Sequence, residues 1–296
     1  MNKAKALKYL IVLFSVSFLI AFISCNKSAT AVDSETQSVV DNSICEQEFM
    51  QIQPTANARA INTKGTGAVA KMAGITGTLT PCDTLHKLSG DTSWTMPGHI
   101  NPTYEYDLSS CTNVNGDNIA RTGKYNIRLT GPIKKAGSQM IILLQNYKVS
   151  TTTYACDSMR ITTLGSVFTS TVVGTIPTSF SFKIEVFNAV CTGGTGWVIK
   201  YNSSKTVTIN TQGTAAGNDD VMIVTGTSNG INRNNLAFTV NVNQITKGAN
   251  CKFITSGTLD ITPAGFSIRT VDYGNGTCDD DATFTVNGQT VAFKMK

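Results

Sequence analysis

The chain is poor in the residues on which most enzyme chemistry depends. It has two histidines, His86 and His99, and beyond residue 60 its only glutamates are Glu105 and Glu185. So few histidines leave little material for a general base or a histidine-rich metal centre. So few glutamates leave only aspartates for the paired carboxylates of glycoside hydrolysis. The cysteines form no C-x-x-C pair and no Cys/His ligand spacing, so zinc is not expected, and nothing calls for a cofactor. An excess of one charge is also lacking. The formal net charge is +5, but Lys3, Lys5 and Lys8 precede residue 25 with no acid among them, and without that segment 21 basic residues face 19 acidic ones. So balanced a chain is not expected to recruit nucleic acid. No apolar run reaches the ~20 residues that carry a helix across a bilayer core.

What is present begins with an address. The three lysines lead into a mostly apolar run from Tyr9 to Ile23, the two regions of an export signal. Phe22-Ile23-Ser24-Cys25 resembles a bacterial lipobox, with small Ser24 before the cysteine. Cleavage before Cys25 and acylation of its thiol are therefore expected. Residues 1–24 read as the signal peptide, residues 25–60 as a lipid-anchored tether and residues 61–296 as the folded domain. Two or three acyl chains hold a protein firmly where one binds only marginally. The lipid bilayer is thus the expected partner, and the cell envelope, at its outer membrane, the expected location.

Within the tether, Ser43-Ile44-Cys45-Glu46 has the form of a capping box, and Cys45, Phe49 and Ile52 recur at helical spacing before Pro54. One short helix ending at Pro54 follows, with Cys45 packed on the domain. From Gly74 onward the pattern changes to short alternating runs between Gly, Asn and Asp. Tyr125 to Leu129, Phe180 to Val186, Thr206 to Ile209, Phe238 to Val242 and Phe284 to Val286 alternate apolar with polar. Such runs are half-buried antiparallel strands. Met140 to Leu144 and Val221 to Val224 are continuously apolar and read as strands buried on both faces. The fold class is all-β, an antiparallel multi-stranded sheet carrying one N-terminal helix.

Three strands are each followed closely by a cysteine: Leu143 to Val149 before Cys156, Val186 to Val190 before Cys191, and Val240 to Ile245 before Cys251. Gly77-Thr78-Leu79-Thr80 recurs as Gly257-Thr258-Leu259-Asp260. This weak repetition suggests two related halves, 61–165 and 166–296, in one continuous sheet. Export makes disulfides available to the six body cysteines. The preferred pairing joins chain neighbours, Cys82 with Cys111, Cys156 with Cys191 and Cys251 with Cys278. Other connectivities, and reduced buried thiols, stay open.

Several motifs invite chemistry. Gly226-Thr227-Ser228-Asn229-Gly230 matches the nucleophile elbow literally, but a strand rather than a helix follows and both histidines come earlier, so a turn between strands is the expected reading. His86 and His99 with Asp83 and Asp91 read as loop residues. Asp272, Asn275, Asp279, Asp280 and Asp281 crowd oxygen atoms near a glycine-rich turn without the order of a calcium loop. Residues 65–71 lack the spacing of a phosphate-binding loop. Trp94 and Trp197 offer ring faces for stacking on sugars, although strand aromatics are more often core.

Arg121-Thr122-Gly123-Lys124-Tyr125-Asn126-Ile127, Gln145-Asn146-Tyr147-Lys148-Val149, Cys251 through Ser256-Gly257-Thr258-Leu259, and Asp272-Tyr273-Gly274-Asn275-Gly276-Thr277-Cys278-Asp279 resemble uncharacterised lipoproteins of the Bacteroidota. The resemblance covers most of the mature chain. It implies an anchored β-rich envelope protein and no known activity. The expected function is that of a non-catalytic structural or binding module, with polysaccharide or another envelope protein as partner. A surface glycan-binding lipoprotein is the alternative, and an aspartate-based hydrolase a third.

Overall fold

The computed structural model describes residues 33–61 (backbone only at 53–55 and 57–61), 83–91, 94, 99–108, 111, 119–167, 177–214, 219–251 and 253–295. The signal segment, Cys25, Cys82, residues 65–71 and the Gly77 to Thr80 repeat lie outside them. Residues Glu35–Lys296 form one compact unit.

The body is a single antiparallel sheet, as its composition implies. Among the described residues fourteen strands follow one another: β1 (Thr84–Ser89), β2 (Thr103–Asp107), β3 (Arg121–Leu129), β4 (Gln139–Val149), β5 (Thr152–Ala155), β6 (Ser158–Val167), β7 (Ser179–Thr192), β8 (Val198–Asn210), β9 (Val221–Ile231), β10 (Ala237–Gly248), β11 (Ser256–Pro263), β12 (Arg269–Asn275), β13 (Asp281–Val286) and β14 (Gln289–Lys294). Each strand pairs with the next in the chain, except that β5 and β6 together occupy one position between β4 and β7. They act as one strand broken at Cys156. The sheet runs unbroken past residue 165, because β6 and β7 pair from Ser158↔Phe187 to Val167↔Ser179.

The helix differs from expectation. It spans Gln37–Ile61, beginning six residues before Ser43 and running through Pro54. Ser43 is not its cap: its hydroxyl donates to the Val40 carbonyl at 2.7 Å. Glu35 caps instead, its Oε1 accepting from the Ser38 backbone N–H at 2.8 Å. A carboxylate there also suits the positive end of the helix dipole. A proline inside a helix costs about 3 kcal/mol, so the docked face must offset it. That face is Cys45, Phe49, Ile52 and Ala56, none more than 2% exposed.

We number this helix α1. It lies on one face of the sheet, and together with Glu35 just before it the segment meets strands from β3 to β12. Eight strand spacings separate those two, about 38 Å in a flat sheet. The residues that touch them, Glu48 on the helix and Glu35 just before it, are separated by 13 positions, about 20 Å at helical rise. The sheet must therefore curl around the helix.

Bulges supply part of the curl. The three strands that shared a sequence pattern each carry a non-glycine residue at positive φ: Asn146 (51°), Asn188 (49°) and Gln244 (52°). Each sits at or beside a register shift with a neighbouring strand. The extra residue also inverts the inside-outside alternation. In β7, Phe182, Ile184 and Val186 point inward, and after Asn188 the inward residues become Ala189 and Cys191. Two glycines accommodate these kinks. A Cβ on Gly123 would stand 2.4 Å from the Asn146 carbonyl oxygen, and one on Gly257 would stand 2.3 Å from that of Gln244.

The two apolar runs are buried on one face only. Met140 and Ile142 point inward while Leu143 is 44% exposed, and of Val221 to Val224 only Val224 is buried. The outer face is open to solvent, so apolar continuity did not signal a second covered side.

Candidate functional site

The most unusual chemistry lies between α1 and the inner face of the sheet. Four acids of the N-terminal segment meet four bases from separate places on the sheet. Glu48 takes the Arg121 guanidinium with both oxygens, Oε1 to Nε and Oε2 to Nη2, each at 3.1 Å. The Tyr147 hydroxyl donates to the same Oε1 at 2.5 Å. Asp41 accepts from the Arg233 backbone N–H at 2.7 Å and pairs with its guanidinium at 2.6 Å. Glu35 faces Arg269, whose Nε also donates to the Glu35 carbonyl at 2.9 Å. Glu46 accepts from the Tyr201 hydroxyl and stands 3.4 Å from the Lys205 ammonium.

Asp41, Glu48, Arg121, Lys205 and Arg269 are buried, and Glu35, Glu46 and Arg233 are partly so. Arg269 and Lys205 are shielded completely, and the Arg121 and Glu48 side chains are 3% and 6% exposed. Charges taken so far out of water must be paired, and an unpaired survivor is costly. Lys205 is the least satisfied: among the described residues its Nζ has no hydrogen-bond partner. Burial pushes that ammonium down from its ordinary value, with Glu46 pulling the other way. Burial raises the Tyr147 and Tyr201 hydroxyls well above the usual range, and the carboxylates of Glu48 and Glu46 add to it.

Neutral polar groups complete the seam. Ser228 Oγ donates to Asn42 Oδ1 at 3.1 Å, and Asn232 Nδ2 donates to Ser38 Oγ at 3.0 Å. Rings fill the space between. Phe49 stacks on Tyr201 and meets Tyr154 edge-on, both at 5.9 Å, and the series continues through Tyr147 and Tyr125 to Tyr106. The arrangement locks a helix in place, since its polar groups are committed to one another.

The outer face is different. One row crosses eight strands in register: Glu185, Ser204, Thr227, Asn241, Asp260, Thr270, Thr285 and Thr290. All face solvent at least in part. Within it, Thr270 donates to Asp260 at 2.6 Å and the Thr285 and Thr290 hydroxyls lie 2.8 Å apart.

No protein-family model, curated protein or solved structure matches the chain.

Of the expected disulfides, Cys251–Cys278 is formed. Cys111 is buried and disulfide-bonded, and Cys82 lies outside the described residues. The expected Cys156–Cys191 pair is not formed, and both thiols are free. Register explains this. Tyr154, not Cys156, stands opposite Cys191, and a diagonal neighbour is about 7–8 Å away where a disulfide needs Cβ atoms about 4 Å apart. Cys191 instead faces Cys45 on α1, sulfur to sulfur at 2.7 Å.

Trp197 packs partly against the core with the Arg233 guanidinium 4.3 Å over its ring, and Trp94 lies 4.7 Å from the His99 ring. The two are not brought into one cluster with Tyr201, which is buried under the helix. Gly226 to Gly230 lies inside β9 and is not a turn, and Ser228 points inward to Asn42. His99 pairs with Asp91 at 3.0 Å, while His86 projects from β1. Among the described residues no three His, Cys, Asp or Glu side chains converge to hold a metal. At the acidic turn, Asp272 and Asp279 accept from backbone N–H groups two residues on, and Asp280 and Asp281 share Lys294 at 2.6 Å.

The helix carboxylates escaped the sequence reading, which treated residues 25–60 as a polar tether. One signal was available. With Val207 and Ile209 inward, period two puts Lys205 inward as well, and a buried lysine demands an acid.

Proposed function

We propose that this chain is a lipid-anchored module of the cell envelope, held through acylated Cys25, whose sheet is a non-catalytic scaffold. The observation that carries this reading is the locking of α1. The segment following the anchor is built into the domain by buried ion pairs rather than left as a loose leash. Only ten residue steps separate Cys25 from Glu35, at most about 35 Å of extended chain. On this reading the domain stays near the bilayer. The chain is then a member of the β-rich lipoprotein group of the Bacteroidota that its motifs resemble, at the outer membrane.

The test is to express the full chain in a bacterium with a lipoprotein pathway and measure the intact mass of the membrane fraction. A chain starting at Cys25 with acyl mass, and a Cys25→Ser variant lacking it, is the expected result. An unacylated wild-type chain would refute the anchor.

Polysaccharide binding is the second reading, favoured by the outer face. Registered hydroxyl and amide groups can exchange hydrogen bonds with a hydroxyl-rich polymer. Binding in a calorimeter that is lost in Asn241→Lys would place it on that face. Loss in Trp94→Ala or Trp197→Ala would place it at the rings, and no binding to any envelope polysaccharide would reject it.

A further inference from the structure

Three cysteines gather where helix and sheet meet. Cys45, on α1, and Cys191, near the end of β7, are both wholly shielded from solvent. They are 146 residues apart in sequence, and their sulfurs are 2.7 Å apart. That is well inside the distance at which two unbonded sulfur atoms rest, and a movement of well under 1 Å would reach the ~2.05 Å of a bond. Cys156 is half-buried at the break between β5 and β6; burial raises its thiol, and neighbouring Asp157 and Cys191 add to the shift.

The backbone makes this meeting specific. Without the bulge at Asn188, the alternation of β7 would send Cys191 to the outer face. On the helix, Cys45 shares its face with Phe49 and Ile52, whose packing fixes its height over the sheet. Both cysteines are thus aimed at one point by independent devices.

We propose that Cys45 and Cys191 are joined as a disulfide in the exported protein, fastening α1 to β7, with Cys156 remaining a thiol. This rests on the envelope reading only for the source of oxidant. As the sulfur–sulfur bond forms, the two thiols give up two protons and two electrons. A disulfide-containing oxidant of the envelope accepts both and leaves as two thiols. The order of events follows from burial. The neighbouring Cys191 sulfur, and then desolvation, hold the Cys45 thiol above its ordinary range, so thiolate is scarce once the helix is docked. The bond forms as the helix docks, and afterwards no reductant reaches it.

The consequence is mechanical. A pull on an anchor at Cys25 would otherwise peel α1 from its end, breaking one ion pair at a time. With the bond in place the load passes at Cys45 directly to β7, in the middle of the sheet.

The experiment uses the full membrane-extracted chain, denatured and alkylated without reduction, then digested and mapped by mass. Cys251–Cys278 is the internal control. The expected result is a Cys45–Cys191 linked peptide with Cys156 alkylated. Cys45 and Cys191 both alkylated while Cys251–Cys278 is linked would overturn the proposal, as would Cys191 linked to Cys156. If Cys251 and Cys278 are alkylated too, the oxidising location fails, and the same chain refolded in glutathione buffer decides the disulfide. Linkage of Cys45 to Cys191 there supports it, and linkage of Cys251 to Cys278 alone refutes it. A further expected result is that dithiothreitol opens the bond in urea but not in the native protein.

Discussion

Replacing Glu48 with leucine probes the locking of the helix most sharply. The change keeps most of the bulk but removes an acceptor serving Arg121 Nε, Arg121 Nη2 and the Tyr147 hydroxyl. The guanidinium, 3% exposed, would be left in the interior without its carboxylate. Breaking a buried pair from one side costs about 3–5 kcal/mol, a large share of the ~5–15 kcal/mol that holds a typical domain together. The companion change Arg121→Met should cost about as much alone. Together, Glu48→Leu and Arg121→Met remove both charges and both desolvation penalties, so the double variant should lie within about 1–2 kcal/mol of wild type. Urea unfolding followed by circular dichroism reads all four proteins, with an unchanged slope showing that the same surface unfolds. A single-variant cost below about 1 kcal/mol, the value of an exposed pair, would refute the claim that this contact locks the helix.

Alkali should unfold the protein through its tyrosines. Tyr147 and Tyr201 are held above the ordinary range by burial, and by Glu48 and Glu46. The folded state keeps protons that the unfolded chain releases from about pH 10, so stability is intact below that pH and falls above it, by about 1.4 kcal/mol per pH unit for each such group. Ultraviolet titration showing all tyrosines ionising near pH 10 in the folded protein would contradict this. Gly123→Ala must place a Cβ 2.4 Å from the Asn146 carbonyl oxygen at a φ of +95°, so it should cost more than about 1 kcal/mol in thermal unfolding, and a neutral result would mean the bulge is not fixed there. Changing Cys251 and Cys278 to serine opens a loop with a sequence separation of 27 and should cost about 3 kcal/mol, measured by urea midpoint, whereas equal midpoints would mean that the turn is held without the bond.

The strands were legible because one face is buried and the other wet. Tyr125 to Leu129, Phe180 to Val186 and Phe238 to Val242 all lie in strands with that alternation. The repeated strand-then-cysteine pattern was visible too, but its meaning was not. It marks β-bulges at Asn146, Asn188 and Gln244, and positive φ at Asn or Gln has no signature as firm as glycine's. The helix was half legible. Cys45, Phe49 and Ile52 gave its buried face, while Ser43 and Pro54 gave false ends, because packing against the sheet outweighed local cap and proline signals. The seam was hidden for a different reason. Glu35, Asp41, Glu46 and Glu48 find their bases 73 to 234 residues away, and no local period encodes such partners.

Hydrogen exchange of α1 tests the central claim directly. If the helix is locked into the sheet, amides of residues 38–52 should exchange only when the whole domain opens, with the same free energy as the middle of β7 through β10. Exchange of those amides at the rate of an unstructured tether, while β7 through β10 stay protected, would contradict the account.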